Sequence, residues 1–130
     1  MKIKPWHVIV ILVVVLLVVF LLLRGDEDTW IKDKRGVWIK HGMPSSTPDY
    51  VLEQQQAIAC AFDLYNKEKN KGMNFSSQCL GTCQDYAVDI VYVPRSQEDN
   101  KPENQCQAFR EGKVSHFIEL DKNGEIVRVV

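Results

Sequence analysis

Four cysteines, Cys60, Cys79, Cys83 and Cys106, are the residues of this chain whose type and spacing bear chemistry. Four cysteines allow three disulfide pairings. Cys79 and Cys83 share a short stretch that also holds Gly81, so one of them can reach back to Cys60 and the other forward to Cys106. Such an arrangement staples a helix, a loop and a sheet together, each bridge contributing about 2–4 kcal/mol. The competing chemistry is a zinc site, from all four cysteines or from three with His116 or His41. Zinc sites usually present close C-x-x-C pairs, and Cys79 with Cys83 is a single looser pair. The same spacing departs from the C-x-x-C at a helix N-terminus that lowers a thiol pKa. Structural disulfides are therefore expected, with no metal and no cofactor.

The other polar residues form no recognisable catalytic set. His7, His41 and His116 are the only histidines, and no GxSxG, HExxH, P-loop or GxGxxG pattern occurs. Asp85, Asp89 and Glu119 read as solvent-facing carboxylates on strands. Asn74-Phe75-Ser76 is an N-glycosylation sequon in an expected loop. Arg24-Gly25-Asp26 spells an adhesion tripeptide, but at a membrane edge where a receptor cannot approach it. The chain is expected not to be an enzyme.

These residues follow an uninterrupted apolar run, Val8 to Leu23, VIVILVVVLLVVFLLL. A spanning helix needs roughly 20 predominantly apolar residues, with a lower limit near 17. With Trp6 and His7 the run reaches that range, bounded by Pro5 and Arg24. Trp6 suits one membrane interface, and Arg24 can extend its stem to reach the other. Gly, Ser and Ala are absent from the run, so close helix pairing through small residues is not indicated. A cleaved signal peptide is the rival reading, with Lys2 and Lys4 as its basic start. Its apolar core is normally shorter, and a small-x-small cleavage site is lacking here. The expectation is an uncleaved, single-pass signal anchor.

Orientation rests on competing signals. Arg24, Lys32, Lys34, Arg35 and Lys40 outnumber Lys2 and Lys4. A large C-terminal domain, however, translocates largely regardless of its charge. Four cysteines in a small domain suit an oxidising compartment. The C-terminal part is therefore expected outside the cytoplasm. All 17 acidic residues follow Arg24, whereas Lys2, Lys4 and Arg24 do not, so that part is net acidic. A broad basic footprint for nucleic acid is excluded.

The organisation expected is a short tail over 1–5, an anchor over 6–24, a juxtamembrane segment over 25–47 and one domain over 48–130. In the juxtamembrane segment, Trp30-Ile31-Lys32 is echoed by Trp38-Ile39-Lys40 across Asp33-Lys34-Arg35-Gly36. That pattern is a hairpin on a type I turn with a glycine bulge. The same pattern recurs at Asp121-Lys122-Asn123-Gly124. One hairpin side presents Trp30, Trp38, Lys32 and Lys40. That side is either a cation–π recognition surface or interfacial and packing material beneath the domain. Trp30 to Pro44, with its ending Lys40-His41-Gly42-Met43-Pro44, resembles a juxtamembrane segment of small uncharacterised single-span membrane proteins of archaea. The resemblance covers that segment alone and implies no activity.

Thr47-Pro48-Asp49 reads as a helix start capped by Thr47, and the helix runs to Gly72. Val51, Ile58, Phe62 and Tyr65 share a stripe containing Gln55, while Ala57, Cys60 and Leu64 lie opposite. Met73 to Thr82 reads as a loop, Tyr86 to Val93 as a strand ending at Pro94, and Gln105 to Phe109 as a short strand. Val114–Leu120 and Glu125–Val130 form a last hairpin, with Ile118, Leu120, Ile126 and Val130 on the better core face. A one-residue slip would exchange its two faces. The fold class is α+β, with one helix packed on an antiparallel sheet of three or four strands.

The functional expectation is a membrane-anchored, non-catalytic extracytoplasmic interaction or structural domain, whose partners are the lipid bilayer and an unidentified protein. The rivals are a membrane-tethered thiol- or zinc-dependent factor and a pilin-like structural subunit. Against the second, the apolar run lacks a processing glycine and an early glutamate, and the segment after Arg24 breaks the helix.

Overall fold

The computed structural model describes residues 3–23 and 28–130. Arg24, and with it the tripeptide Arg24-Gly25-Asp26, therefore lies outside the described residues. The chain falls into two compact units, Met1–Ile31 with Ile39–Ser46, and Lys32–Trp38 with Thr47–Val130.

The first unit contains α1, Pro5–Leu23, an apolar helix with no buried residue. It is long and apolar enough to cross a membrane. The unit also contains β1, Thr29–Lys32, except for Lys32, and the outer end of β2, Trp38–His41. These strands form the expected two-stranded sheet. Trp30 is buried, and its indole N–H donates to Ser46 O at 3.0 Å. The Asp28 carboxylate accepts from Met43 N–H at 3.0 Å.

The hairpin tip belongs to the second unit, so the boundary between the two units passes through the hairpin. Asp33 N–H donates to Val37 O and Gly36 N–H to Asp33 O, the turn expected from Asp33-Lys34-Arg35-Gly36. Asp33 also accepts from the N–H groups of Arg35 and Val37. Slight desolvation works against these bonds, but they and the Arg35 guanidinium hold the Asp33 carboxyl below its usual range. Gly36 is fixed by space as well as by its φ of +87°: a Cβ there would stand 2.1 Å from Val129 O. At the equivalent Gly124, in the second turn, an added Cβ would stand 2.7 Å from the Tyr65 ring.

The second unit is built on a four-stranded sheet in the order β3 (Gln78–Cys83), β4 (Tyr86–Ile90), β5 (His116–Leu120), β6 (Ile126–Val129). The α+β class is as expected, but the sheet is mixed: β4 and β5 run parallel. A parallel pair needs a crossover of a dozen or more residues. Residues 91–115 provide it, with 3-10 turns at Gln97–Asn100 and Pro102–Asn104 and the short helix α3, Gln107–Arg110. The strand expected over Gln105–Phe109 is thus a helical turn, whose carbonyls satisfy themselves locally rather than on a sheet edge.

α2, Asp49–Asn70, covers one sheet face. Its first turn bonds back to Pro48 O, and Thr47 does not cap it. The buried stripe is Val51, Gln54, Ala57, Ala61 and Tyr65. The helix is rolled relative to the expected stripe, so that Ala57, Cys60 and Leu64 turn inward while Phe62 stays exposed. Two alanines facing Val88, Ile90, Ile118 and Leu120 let the helix lie close to the sheet. Gln54, rather than Gln55, is the stripe's polar member. Its carbonyl accepts from Trp38 N–H at 2.8 Å and its amide donates to Gly36 O at 3.0 Å.

The expected loop Met73–Thr82 contains β3, hidden from sequence by a bulge. Cys79 pairs with Asp89 and Cys83 with Tyr86, but the register shifts between Cys79 and Gly81. Residues four apart on a regular strand share a face. The extra residue breaks that rule. Cys83 therefore joins Tyr86 on the helix side, and Cys79 joins Asp89 on the other. A second bulge, between Glu119 and Leu120, corrects the last hairpin. Val129 enters the core in place of Val130, and Arg128 moves to the opposite face beside Glu119.

Replacing Gln54 by Leu would leave Trp38 N–H and Gly36 C=O without partners. Unfolding by denaturant should show a loss of about 1–3 kcal/mol, with red-shifted tryptophan emission. A loss within about 0.5 kcal/mol, as for ordinary surface substitutions, would refute this role for Gln54.

Candidate functional site

The two disulfides address opposite faces of the sheet. Cys60–Cys83 joins α2 to β3, and Cys79–Cys106 joins β3 to the crossover just before α3. All four cysteines are engaged. With sequence separations of 23 and 27, each cross-link removes about 3–4 kcal/mol of chain entropy from the unfolded state in the loop-closure model.

The crossover face is polar beneath a small apolar cluster of Ala87, Cys106 and Val114. Strand periodicity sends Ala87 and Asp89 of β4, and Phe117 and Glu119 of β5, to this face. Asp89 and Glu119 are thus enclosed rather than solvent-facing, because the crossover lies over them. With Arg95, Asp99, Cys106 and Phe117 they line a pocket of about 100 Å³.

Its charges are compensated unequally. Glu119 is 5% exposed, and one of its oxygens accepts from Arg95 at 3.0 Å and Arg128 at 2.9 Å. The Arg128 guanidinium also lies 5.0 Å from the Phe117 ring centre. Asp99 accepts from Ser96 N–H at 2.8 Å and Tyr92 N–H at 3.0 Å. Burial opposes its ionisation, but these bonds, the Ser77 hydroxyl and Arg95 hold its carboxyl below the usual range. Among the described residues, Asp89 accepts the Cys106 N–H alone, at 3.2 Å. Burial pushes its carboxyl up to about 6; the Cys106 bond and Arg95 act against this, and Glu119 adds to it.

One oxygen of Asp89 and the sulfurs of Cys79 and Cys106 all lie within 4.8 Å of one another. The sulfurs are bonded to each other, so as it stands this group offers a metal a single carboxylate. It is the only such cluster among the described residues, and neither His41 nor His116 belongs to it. His116 stacks on Tyr86 at 4.8 Å, lies 3.8 Å from Asp85 and reaches Val130 O. Asp85 accepts from Ser115 N–H at 2.9 Å.

The remaining singled-out residues are dispersed. Asn74 is exposed in the loop before β3. Trp6 is exposed near the start of α1. Lys40 stands over Trp30 at 5.8 Å, and Lys32 over Trp38 at 5.1 Å. Trp38 also meets Tyr50 at 4.8 Å. The hairpin's cations and indoles are thus paired with each other. No protein-family model, curated protein or solved structure matches the chain.

Asp89 predicts a particular pH dependence. Well below pH 4 its carboxyl is neutral in both folded and unfolded chains. As pH rises, the unfolded chain loses the proton first, so this group withdraws stability up to about pH 6 and no further. Asp33 and Asp99 have the opposite sign and act at lower pH. Asp89→Asn should therefore gain about 2–3 kcal/mol at pH 7 and almost nothing at about pH 3. Denaturant unfolding across that range, with disulfides intact, checks this; a gain independent of pH would contradict it.

Proposed function

We propose that this protein is a single-pass membrane protein whose C-terminal domain is displayed outside the cytoplasm as a disulfide-stapled interaction module. The observation that carries this reading is α1, whose apolar side chains are exposed along its entire length. Water is a poor solvent for such a surface, and a bilayer core matches it in polarity and thickness. Two disulfides with no cysteine left free support an oxidising compartment. The acidic character of the remainder supports protein partners over nucleic acid.

A secreted domain released by cleavage is the second reading. The position of α1 near the N-terminus, after Lys2 and Lys4, favours it. Expression of the full chain separates the two. The anchor reading expects the protein to resist alkaline carbonate extraction and to keep its N-terminus. Its domain should be digested by protease added to intact cells, and no thiol should be alkylated without reduction. A soluble product beginning after Leu23 would establish the secreted form. A protected domain with free thiols would overturn both.

A further inference from the structure

The two disulfides occupy different chemical surroundings. Cys60–Cys83 lies among Ala57, Ala61, Leu64 and Leu80. Among the described residues, no cluster places carboxylates or imidazoles around its sulfurs. Cys79–Cys106 joins an exposed residue to one that is 1% exposed, with the Asp89 carboxyl in reach of both sulfurs. Thiol–disulfide exchange needs one sulfur open to attack and a leaving sulfur whose charge is managed.

We propose that Cys79–Cys106 is an exchange site for a thiol compound, in which Cys79 takes the attack and Asp89 carries the proton of Cys106. A thiolate R–S⁻ forms a bond to Cys79 Sγ. The Cys79–Cys106 bond breaks, and its electron pair leaves on Cys106. A bare thiolate is disfavoured there. Its sulfur faces Val88 O at 3.4 Å and Gly81 O at 3.6 Å, which attract an S–H but repel a negative charge. The Asp89 carboxylic acid supplies the proton and is reprotonated from solvent. A second R–S⁻ then displaces Cys79, giving R–S–S–R and a reduced pair. In the reverse direction, the Asp89 carboxylate removes the Cys106 proton so that its thiolate attacks Cys79 Sγ of the mixed disulfide, re-forming the Cys79–Cys106 bond and expelling R–S⁻.

The elements around Asp89 contribute known charges: Glu119 from β5, Arg95 and Asp99 from the crossover, and Arg128 from β6 through Glu119. Glu119 is neutralised by its two arginines. Asp89 is therefore the proton acceptor left beside the sulfurs, and its carboxyl, at about 6, is suited to transfer near neutrality.

The test uses the full-length protein in detergent and glutathione as the probe. After graded exposure to reduced glutathione, thiols are trapped with an alkylating agent and mapped by mass spectrometry. Cys79–Cys106 should open at least tenfold faster than Cys60–Cys83, with the glutathione adduct on Cys79. Closure of the adduct, followed from pH 5 to 8, should accelerate through a step near pH 6. Asp89→Asn should abolish that step and slow closure at pH 7 by at least tenfold. Its α2 should remain folded and its Cys60–Cys83 bond closed. Simultaneous opening of both bonds, an adduct on Cys106, or an unchanged pH profile in the variant would overturn the proposal. If the variant fails to fold, a wild-type profile lacking the step near pH 6 would do the same.

Discussion

Both faces of β4 are buried, and the rest of the domain follows from that constraint. Tyr86, Val88 and Ile90 press on the α2 side, while Ala87 and Asp89 face the crossover. A short sheet buried on both faces needs two covering layers. α2 is a long helix whose inward stripe holds itself against the sheet. The crossover has only 3-10 turns and the four-residue α3 to offer. Such short pieces have little helical stability of their own. Its attachment to the sheet therefore falls to Cys79–Cys106, to the Cys106 N–H bond on Asp89 and to the Arg95–Glu119 pair. The bulge in β3 makes this possible, since it sends Cys79 and Cys83 to opposite faces.

Covering a face that carries carboxylates has an electrostatic cost. Glu119 meets two guanidinium groups, and Asp99 is held by backbone N–H groups. Asp89 receives one N–H and a negative neighbour, so its proton is held tightly. An incompletely compensated buried acid weakens a structure at neutral pH. Its location against the more accessible disulfide gives that weakness a chemical use. The same contacts that close the crossover are those a thiol would open, so exchange at Cys79 would bear on the order of residues 91–115.

The features legible in the sequence were those with strong local signals. The apolar helix, the span of α2, the two Asp-x-x-Gly turns and the α+β class each rest on contiguous residues whose neighbours decide their conformation. The missed features were those set at a distance. Nothing local marks the bulges near Leu80 and Val127, yet each reverses which side chains face the core. The roll of α2 is set by its contacts with Gly36 and Trp38 through Gln54, and by the Cys60 bond. The enclosure of Asp89 and Glu119 depends on a crossover whose polar sequence looks like a surface loop. The signal for it was the length between Tyr92 and Val114, too long for a hairpin and sufficient for a parallel return.

Hydrogen exchange on a Cys79→Ala, Cys106→Ala double variant, compared with the native full-length protein, bears most directly on how the crossover is held. The amides of residues 91–115 should lose protection by a factor of about 100 or more, following the loss of the loop constraint. Those of α2 and of β6 should keep theirs. Equal loss across the domain, or unchanged protection of the crossover, would contradict the view that this bond secures the second face of the sheet.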